Sequence, residues 1–160
     1  MNTPKNVKIR VDLPSHPVVS GESMWADDLG NGNYQIKNIP FYAYGIHYDD
    51  IVFAMATSTE EKPEIKKLVK ANGHQTLRIL FIDDETKEEH IKIIESIRTK
   101  HIGYEGMSDN LFALNVTPEG DFDGLHDALE LLEKRGILHF ETCEARVEGG
   151  FDDAPVILEE

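Results

Sequence analysis

Leu77-Arg-Ile-Leu-Phe-Ile82, followed at once by Asp83-Asp-Glu-Thr86, decides the reading of the fold. The first segment is a nearly continuous apolar run, the pattern of a central strand covered on both faces. The second offers a helix N-cap and puts negative charge at the helix's positive end. A helix over about residues 86–100 then buries Ile91, Ile94 and Ile97, and His101-Ile-Gly103 stops it. Residues 103–107 and 111–116 read as strands paired across Ser108-Asp-Asn110. A second helix starts at residues 118–121 and carries Leu125, Ala128, Leu129 and Leu132 at i, i+3, i+4 and i+7, one apolar stripe. Lys134-Arg135 suits its C-terminus and Gly136 its cap. Residues 137–147 supply the last strand. The order strand–helix–strand–strand–helix–strand predicts a ferredoxin-like βαββαβ half over residues 77–148, with both helices on one face of an antiparallel sheet.

Working back towards the start, the pattern changes to strands alone. Val7-Lys-Ile-Arg-Val-Asp-Leu13 alternates with period two. Ser23-Met-Trp-Ala-Asp27 and Tyr34-Gln-Ile-Lys37 flank Leu29-Gly-Asn-Gly-Asn33, and Asn31-Gly32 can take the positive φ values a tight hairpin needs. Residues 38–48 are aromatic-rich but broken by Pro40 and Gly45, an irregular segment folding over a barrel mouth. Ile51-Val-Phe-Ala-Met-Ala56 reads as a buried strand, and residues 57–64 as a polar loop. Residues 65–71 fit a helical face, yet Asn72-Gly73 favours a hairpin into the next strand. The expectation is an α+β chain: a small curled β-sheet or barrel in residues 1–76, the ferredoxin-like half in 77–148, and a loosely docked extension in 149–160. Trp25, Tyr34, Phe41, Tyr42, Tyr44 and Tyr48 are expected to fill the small barrel, the alternative being a partner-binding cluster.

Composition narrows the function classes. The 160 residues are 40% hydrophobic and 29% charged, as in a soluble globular chain, and no apolar run approaches the roughly 20 residues that span a bilayer. The first ten residues hold no apolar signal core, so a cytoplasmic location is expected. A single cysteine, Cys143, excludes an internal disulfide framework and a Cys-rich zinc site. The formal charge is −14, yet residues 1–80 hold nine cations and nine anions, so residues 81–160 carry the whole imbalance. Such a field repels nucleic acid and anionic membranes and attracts basic proteins. The strands of the second half also lack the basic and aromatic residues with which sheets hold RNA.

Trp25-Ala-x-x-Leu-Gly-x-Gly-x-Tyr-x-Ile-x-Asn-Ile-Pro-Phe41, Ala43-Tyr-Gly45 and Gly73-His-x-Thr-x-Arg78 resemble a bacterial domain-of-unknown-function family over roughly residues 5–148. That family is one of small stand-alone cytoplasmic proteins with immunity-protein-like members beside secreted toxins. The chain departs from its pattern at Asp49-Asp50, where Gly-Asp is expected, which bears on the turn type there. The resemblance brings no catalytic residues with it.

Candidate chemistry is sparse. His139, Glu141 and Cys143 alternate on one strand face but lack the further convergent donors a metal needs, so neither a metal nor a cofactor is expected. Asp121, Asp123 and Asp127 are spaced like part of a calcium loop without its glycine and terminal glutamate, so helix capping explains them. Carboxylate pairs at Asp83/Asp84 and Glu130/Glu133 fit caps and exposed helix surfaces, and no phosphate-binding glycine loop or nucleophile elbow occurs. His74, Thr76 and Arg78 are a candidate polar site, with His74 at a turn tip and the other two on one strand face. The acidic, motif-poor sequence points to a non-catalytic binding protein, and the resemblance implies, most concretely, an immunity protein that occludes a toxin's active or substrate-binding site through an acidic face, the alternative being a regulator of a basic cellular protein such as a ribonuclease. The partner-binding candidates are Asp83, Asp84, Glu85, Asp121, Asp123, Glu141, Glu144, Asp152 and Asp153, with the two helix starts expected at the same end of the sheet.

Overall fold

The computed structural model describes residues 3–59 and 61–154. Five strands, β1 (Lys5–Asp12), β2 (Gly21–Gly30), β3 (Asn33–Ile36), β4 (Ile51–Met55) and β5 (Glu64–Lys70), close into a barrel in that order. Sequential pairs are antiparallel, and the barrel shuts through one parallel register pair, Arg10↔Glu64. Asn31 and Gly32 both take positive φ, as the hairpin between β2 and β3 requires. Gly32 has a second reason to lack a side chain, since a Cβ there would meet the Phe53 ring at 2.5 Å.

Strand periodicity sends Ile9 and Val11, Met24 and Ala26, Ile36, Val52 and Ala54, and Ile65 into the barrel. The core is therefore aliphatic, which corrects the expected aromatic filling. Trp25 lies between the inward Met24 and Ala26, so the same alternation turns it outward, where it is exposed beneath the Lys8 ammonium. Tyr34 and Tyr42 pack against the core from its margin.

The second half consists of β6 (Gln75–Phe81), α1 (Lys87–Ile97), β7 (Ile102–Gly106), β8 (Leu111–Val116), α2 (Phe122–Lys134) and β9 (Leu138–Thr142). Its four strands form one sheet in the order β7-β8-β6-β9, every pairing antiparallel. Leu77, Ile79 and Phe81 point to the face on which Ile94 of α1 and Leu125 and Leu129 of α2 are buried. Thr76, Arg78 and Leu80 point to the opposite face. Thr86 caps α1 by accepting from Glu89 N (3.2 Å), and Asp121 caps α2 by accepting from Gly124 N (2.9 Å). Gly136 takes the positive φ of a helix stop.

Four expectations change. β5 and β6 do not form a hairpin: β5 pairs with β4 and closes the barrel, whereas β6 pairs with β8 and β9. The last strand ends at Thr142 rather than residue 147, because the Cys143 carbonyl turns to accept from Gly45 N (2.8 Å). The segment after it is firmly attached as far as it is described. Phe151 packs on the barrel core and accepts from Tyr44 N through its carbonyl (2.9 Å), while buried Asp152 accepts from Ser15 N (2.5 Å). The rest of the expected extension, residues 155–160, lies outside the described residues. Finally, the helices start at opposite ends of the sheet. α1 follows β6 and α2 follows β8, and these strands are antiparallel, with Leu80 opposite Leu111 and Gln75 opposite Val116. Among the described residues no helix is long and apolar enough to cross a membrane.

Candidate functional site

Residues 38–50 run between the barrel and the exposed-side face of the sheet. They have no ladder of their own, so their backbone groups need other partners. Glu22, at the start of β2, accepts from three successive N–H groups, those of Phe41 (3.0 Å), Tyr42 (3.0 Å) and Ala43 (2.8 Å). Glu105 of β7 accepts from Ile39 N (3.0 Å), and Asn38 accepts from Trp25 N through its side chain. From β6, the Arg78 guanidinium donates to the carbonyls of Ala43 (2.9 Å), Pro40 (3.3 Å) and Tyr42 (3.4 Å). Its Nε donates to Glu141 (3.0 Å), which also accepts from the Tyr44 hydroxyl (2.8 Å). The Tyr44 ring covers the guanidinium, centroid 4.6 Å from Cζ.

The members of the candidate trio do not bond to one another: each holds a different part of the segment or of the sheet. Thr76 shares a 2.7 Å hydrogen bond with His47 Nδ1. His74 is largely buried rather than at a turn tip: its Nδ1 meets the Asn115 amide (3.0 Å from Nδ2), its Nε2 lies 3.7 Å from Asp49, and its ring leans on Tyr48. Burial, with Arg78 and His74 adding positive charge, pushes His47 down to about 4, so its imidazole is neutral at physiological pH. Burial pushes the Cys143 thiol up to about 12, opposite to what an activated nucleophile needs. Asp50 is fully buried and raised by that burial, which N–H bonds from His47 (2.9 Å) and Asn72 (3.1 Å) offset in part. What this arrangement does chemically is hold the barrel to the sheet. Asp49 stands at φ +69, a glycine-favoured conformation, so the turn implied by the resemblance persists without its glycine. Lys37 (2.6 Å) binds the Asp49 side chain, and Gln35 and Asn72 donate to its carbonyl.

The expected acidic face divides. Asp83, Asp84 and Glu85 stand where β6 ends, and Asp121 and Asp123 stand at the opposite end of the sheet. Asp83 accepts from Nε2 of the fully buried His90 (2.5 Å), whose Nδ1 lies 2.6 Å from the Asp109 carbonyl. That bond holds the Asp83 carboxyl below its usual range. Asp84, Glu85, Asp121 and Asp123 are exposed and form no ion pair among the described residues. Glu141 and Asp152 are committed to the internal contacts above. Glu144 is exposed, with its pKa lowered by bonding to Thr142, and Asp153 lies beside Asp152 in the attached tail. His139, Glu141 and Cys143 do not converge, and among the described residues no three His, Cys, Asp or Glu side chains form a metal-ligand group.

Sequence reasoning missed Glu22, Glu105, His47 and Asp50. No motif marks them. The available signal was indirect: an irregular segment rich in N–H donors needs acceptors brought from elsewhere.

A family model described as "Domain of unknown function (DUF4265)" matches residues 22–140. The chain is also similar in fold to the crystal structure of a hypothetical protein from Neisseria gonorrhoeae, with a TM-score of 0.69 and 20% identity. The likeness covers 86% of this chain and 95% of that one. No curated protein matches the chain.

Proposed function

The chain belongs to the DUF4265 family of domains of unknown function, and from that premise we propose that it is a non-catalytic cytoplasmic binding protein, most concretely an immunity protein that occludes the active or substrate-binding site of a toxin. The observation that carries this reading is the surplus of exposed carboxylates in the helical half. Asp84, Glu85, Asp121, Asp123 and Asp127 have no cation partner among the described residues, so their charge is available to a basic partner. The barrel is joined to this half through buried, mutually bonded polar groups, which favours a rigid binding surface over a reactive centre. We further read residues 75–142 as ferredoxin-like, on the strand order β7-β8-β6-β9 with a helix before β7 and another before β9.

The toxin would use basic residues on its own substrate, and the carboxylates would meet those residues first. Purified protein is to be added in excess to the product of any toxin gene found beside its own. Inhibition that is stoichiometric and weakens with salt supports the reading. Undiminished toxin activity with excess protein rejects it. Binding instead to a cellular ribonuclease, in cells lacking any such toxin gene, would replace immunity by regulation of a basic cellular protein.

A further inference from the structure

The sheet face turned away from the helices is covered only in part. Its lower rows, Thr76, Arg78, Ala113 and Asn115, are buried. Its top row is not: Leu80 is 46%, Ile82 47% and Met107 48% exposed, and Leu111 is half-buried beside them. The register puts Leu111 and His139 on either side of Leu80. Ile82 continues the alternation of β6, with Ile82 N donating to the Ile137 carbonyl (3.2 Å). Met107 marks the limit of the cover, since the Tyr42 hydroxyl touches its sulfur (2.9 Å). Leu80, Leu111, His139 and Phe140 also line a groove of about 270 Å³, together with Arg78 and Glu141. A volume of that size suits one or two side chains and is small for a drug-sized ligand.

Carboxylates border this apolar ledge at one end of the sheet. Asp83, Asp84 and Glu85 follow Ile82 directly, and Asp109 stands in the turn between Met107 and Leu111. Asp84, Glu85 and Asp109 are exposed and have no ion-pair partner among the described residues. Lys87, the nearby cation of α1, lies beside Gly106. An apolar centre with a charged rim is the anatomy of a protein-binding surface. The rim's sign selects the occupant. Phosphate-bearing surfaces are repelled, and a two-fold contact with a second copy would bring the same carboxylates against one another.

We propose that the ledge of Leu80, Ile82, Met107 and Leu111 docks a cationic amphipathic segment of a protein partner, with apolar side chains in the groove and Lys or Arg on the rim of Asp84, Glu85 and Asp109. This deepens the binding reading above and rests on it.

The test titrates isotope-labelled protein with a synthetic Leu/Lys peptide of helical periodicity and with a Ser/Lys peptide of equal charge. Saturable binding of the Leu/Lys peptide is expected, with NMR shifts centred on Leu80, Ile82, Met107 and Leu111. The Ser/Lys peptide should bind at least tenfold more weakly. Leu80→Gln with Ile82→Gln should weaken the Leu/Lys peptide about tenfold, because about half of each side chain remains to be buried. The variant Glu119→Lys should leave that affinity within about twofold, since it changes an exposed charge between β8 and α2, at the other end of the sheet. Equal affinity for the two peptides, or shifts centred on Asp121 and Asp123, overturns the ledge while leaving toxin inhibition untouched. Concentration-dependent shifts of the same four residues without peptide, marking a dimer, overturn it as well. If toxin inhibition fails but the peptide occupies the ledge, the immunity reading alone falls.

Discussion

Replacing Arg78 by methionine should uncouple the two halves of the molecule. The side chain is 3% exposed and donates to Glu141, Ala43, Pro40 and Tyr42. Methionine keeps the apolar stem and removes every donor. Breaking a buried ion pair costs about 3–5 kcal/mol, much of it from the partner left behind. Here Glu141 is 39% exposed and can rehydrate, which favours the lower part of that range. The buried carbonyls cannot rehydrate as easily, at about 1–3 kcal/mol for an unsatisfied group, and the two effects overlap rather than add. The net expectation is a loss of about 3–4 kcal/mol, a large share of a typical domain's stability. Trp25 is the chain's single tryptophan and lies in the barrel, whereas both helices belong to the sheet half. Urea unfolding followed by tryptophan fluorescence and by far-ultraviolet dichroism therefore reports each half separately. The wild-type curves should coincide, and those of Arg78→Met should separate. Arg78→Lys keeps the charge but cannot reach four acceptors arranged for a planar fork, so it should fall between them. A loss below about 1 kcal/mol with coincident curves would refute the view that Arg78 joins the halves.

Leu129→Ala removes a fully buried side chain from α2 and should cost about 2–5 kcal/mol in denaturant unfolding, and a loss under about 0.5 kcal/mol would place its stripe in solvent. His90 should make stability depend on pH. Burial lowers its pKa, but the Asp83 carboxylate and Asp109 carbonyl on its two nitrogens outweigh burial, leaving it above the ordinary histidine value. A raised folded-state pKa contributes stability that is full below about pH 6.5 and fades as pH rises through the folded value, so unfolding free energy should fall across that window. The fall should flatten in His90→Gln, and an unchanged pH profile in that variant would assign the dependence elsewhere. Because the acidic clusters occupy opposite ends of the sheet and the proposed ledge adjoins only Asp84, docking there means that Asp84→Lys slows association with a basic partner at low salt more than Asp123→Lys does. Stopped-flow rates reduced equally by both would deny the end near β6 its special role.

The buried network illustrates how far a candidate site can be read from residues. Arg78 was legible through the Gly73-His-x-Thr-x-Arg78 stretch, and period two placed Thr76 on its face. Their partners could not be inferred. Glu22 is 56 residues from Arg78 in the chain, yet both bind the 41–43 backbone from opposite directions. Asp49 is the reverse case: the resemblance pointed to glycine, and the glycine-like φ survives because Lys37, Gln35 and Asn72 secure the aspartate. Leu80 and Ile82 were legible as part of a buried strand. They are exposed because the 38–50 segment covers only part of their face, a matter of how far a distant loop reaches.

Local rules alone determined the elements of the second half. Thr86, Asp121 and Gly136 bound helices whose apolar stripe follows from the 3.6-residue turn, and the order of strands and helices implied the sheet. Alternation along residues 7–13 and the Asn31-Gly32 turn likewise determined the first strands of the barrel. Pairing was decided by tertiary structure. Asn72-Gly73 has hairpin chemistry, but β5 closes the barrel because Ile65 completes its core, and β6 lies inside the other sheet because β8 and β9 pair on either side of it and one of its faces packs beneath both helices. The helix starts were visible as charge, while their separation follows from β6 and β8 running in opposite directions. Side-chain periodicity is set within a few residues of chain. Strand direction and the reach of a loop depend on contacts between residues far apart in sequence, and local pattern does not encode them.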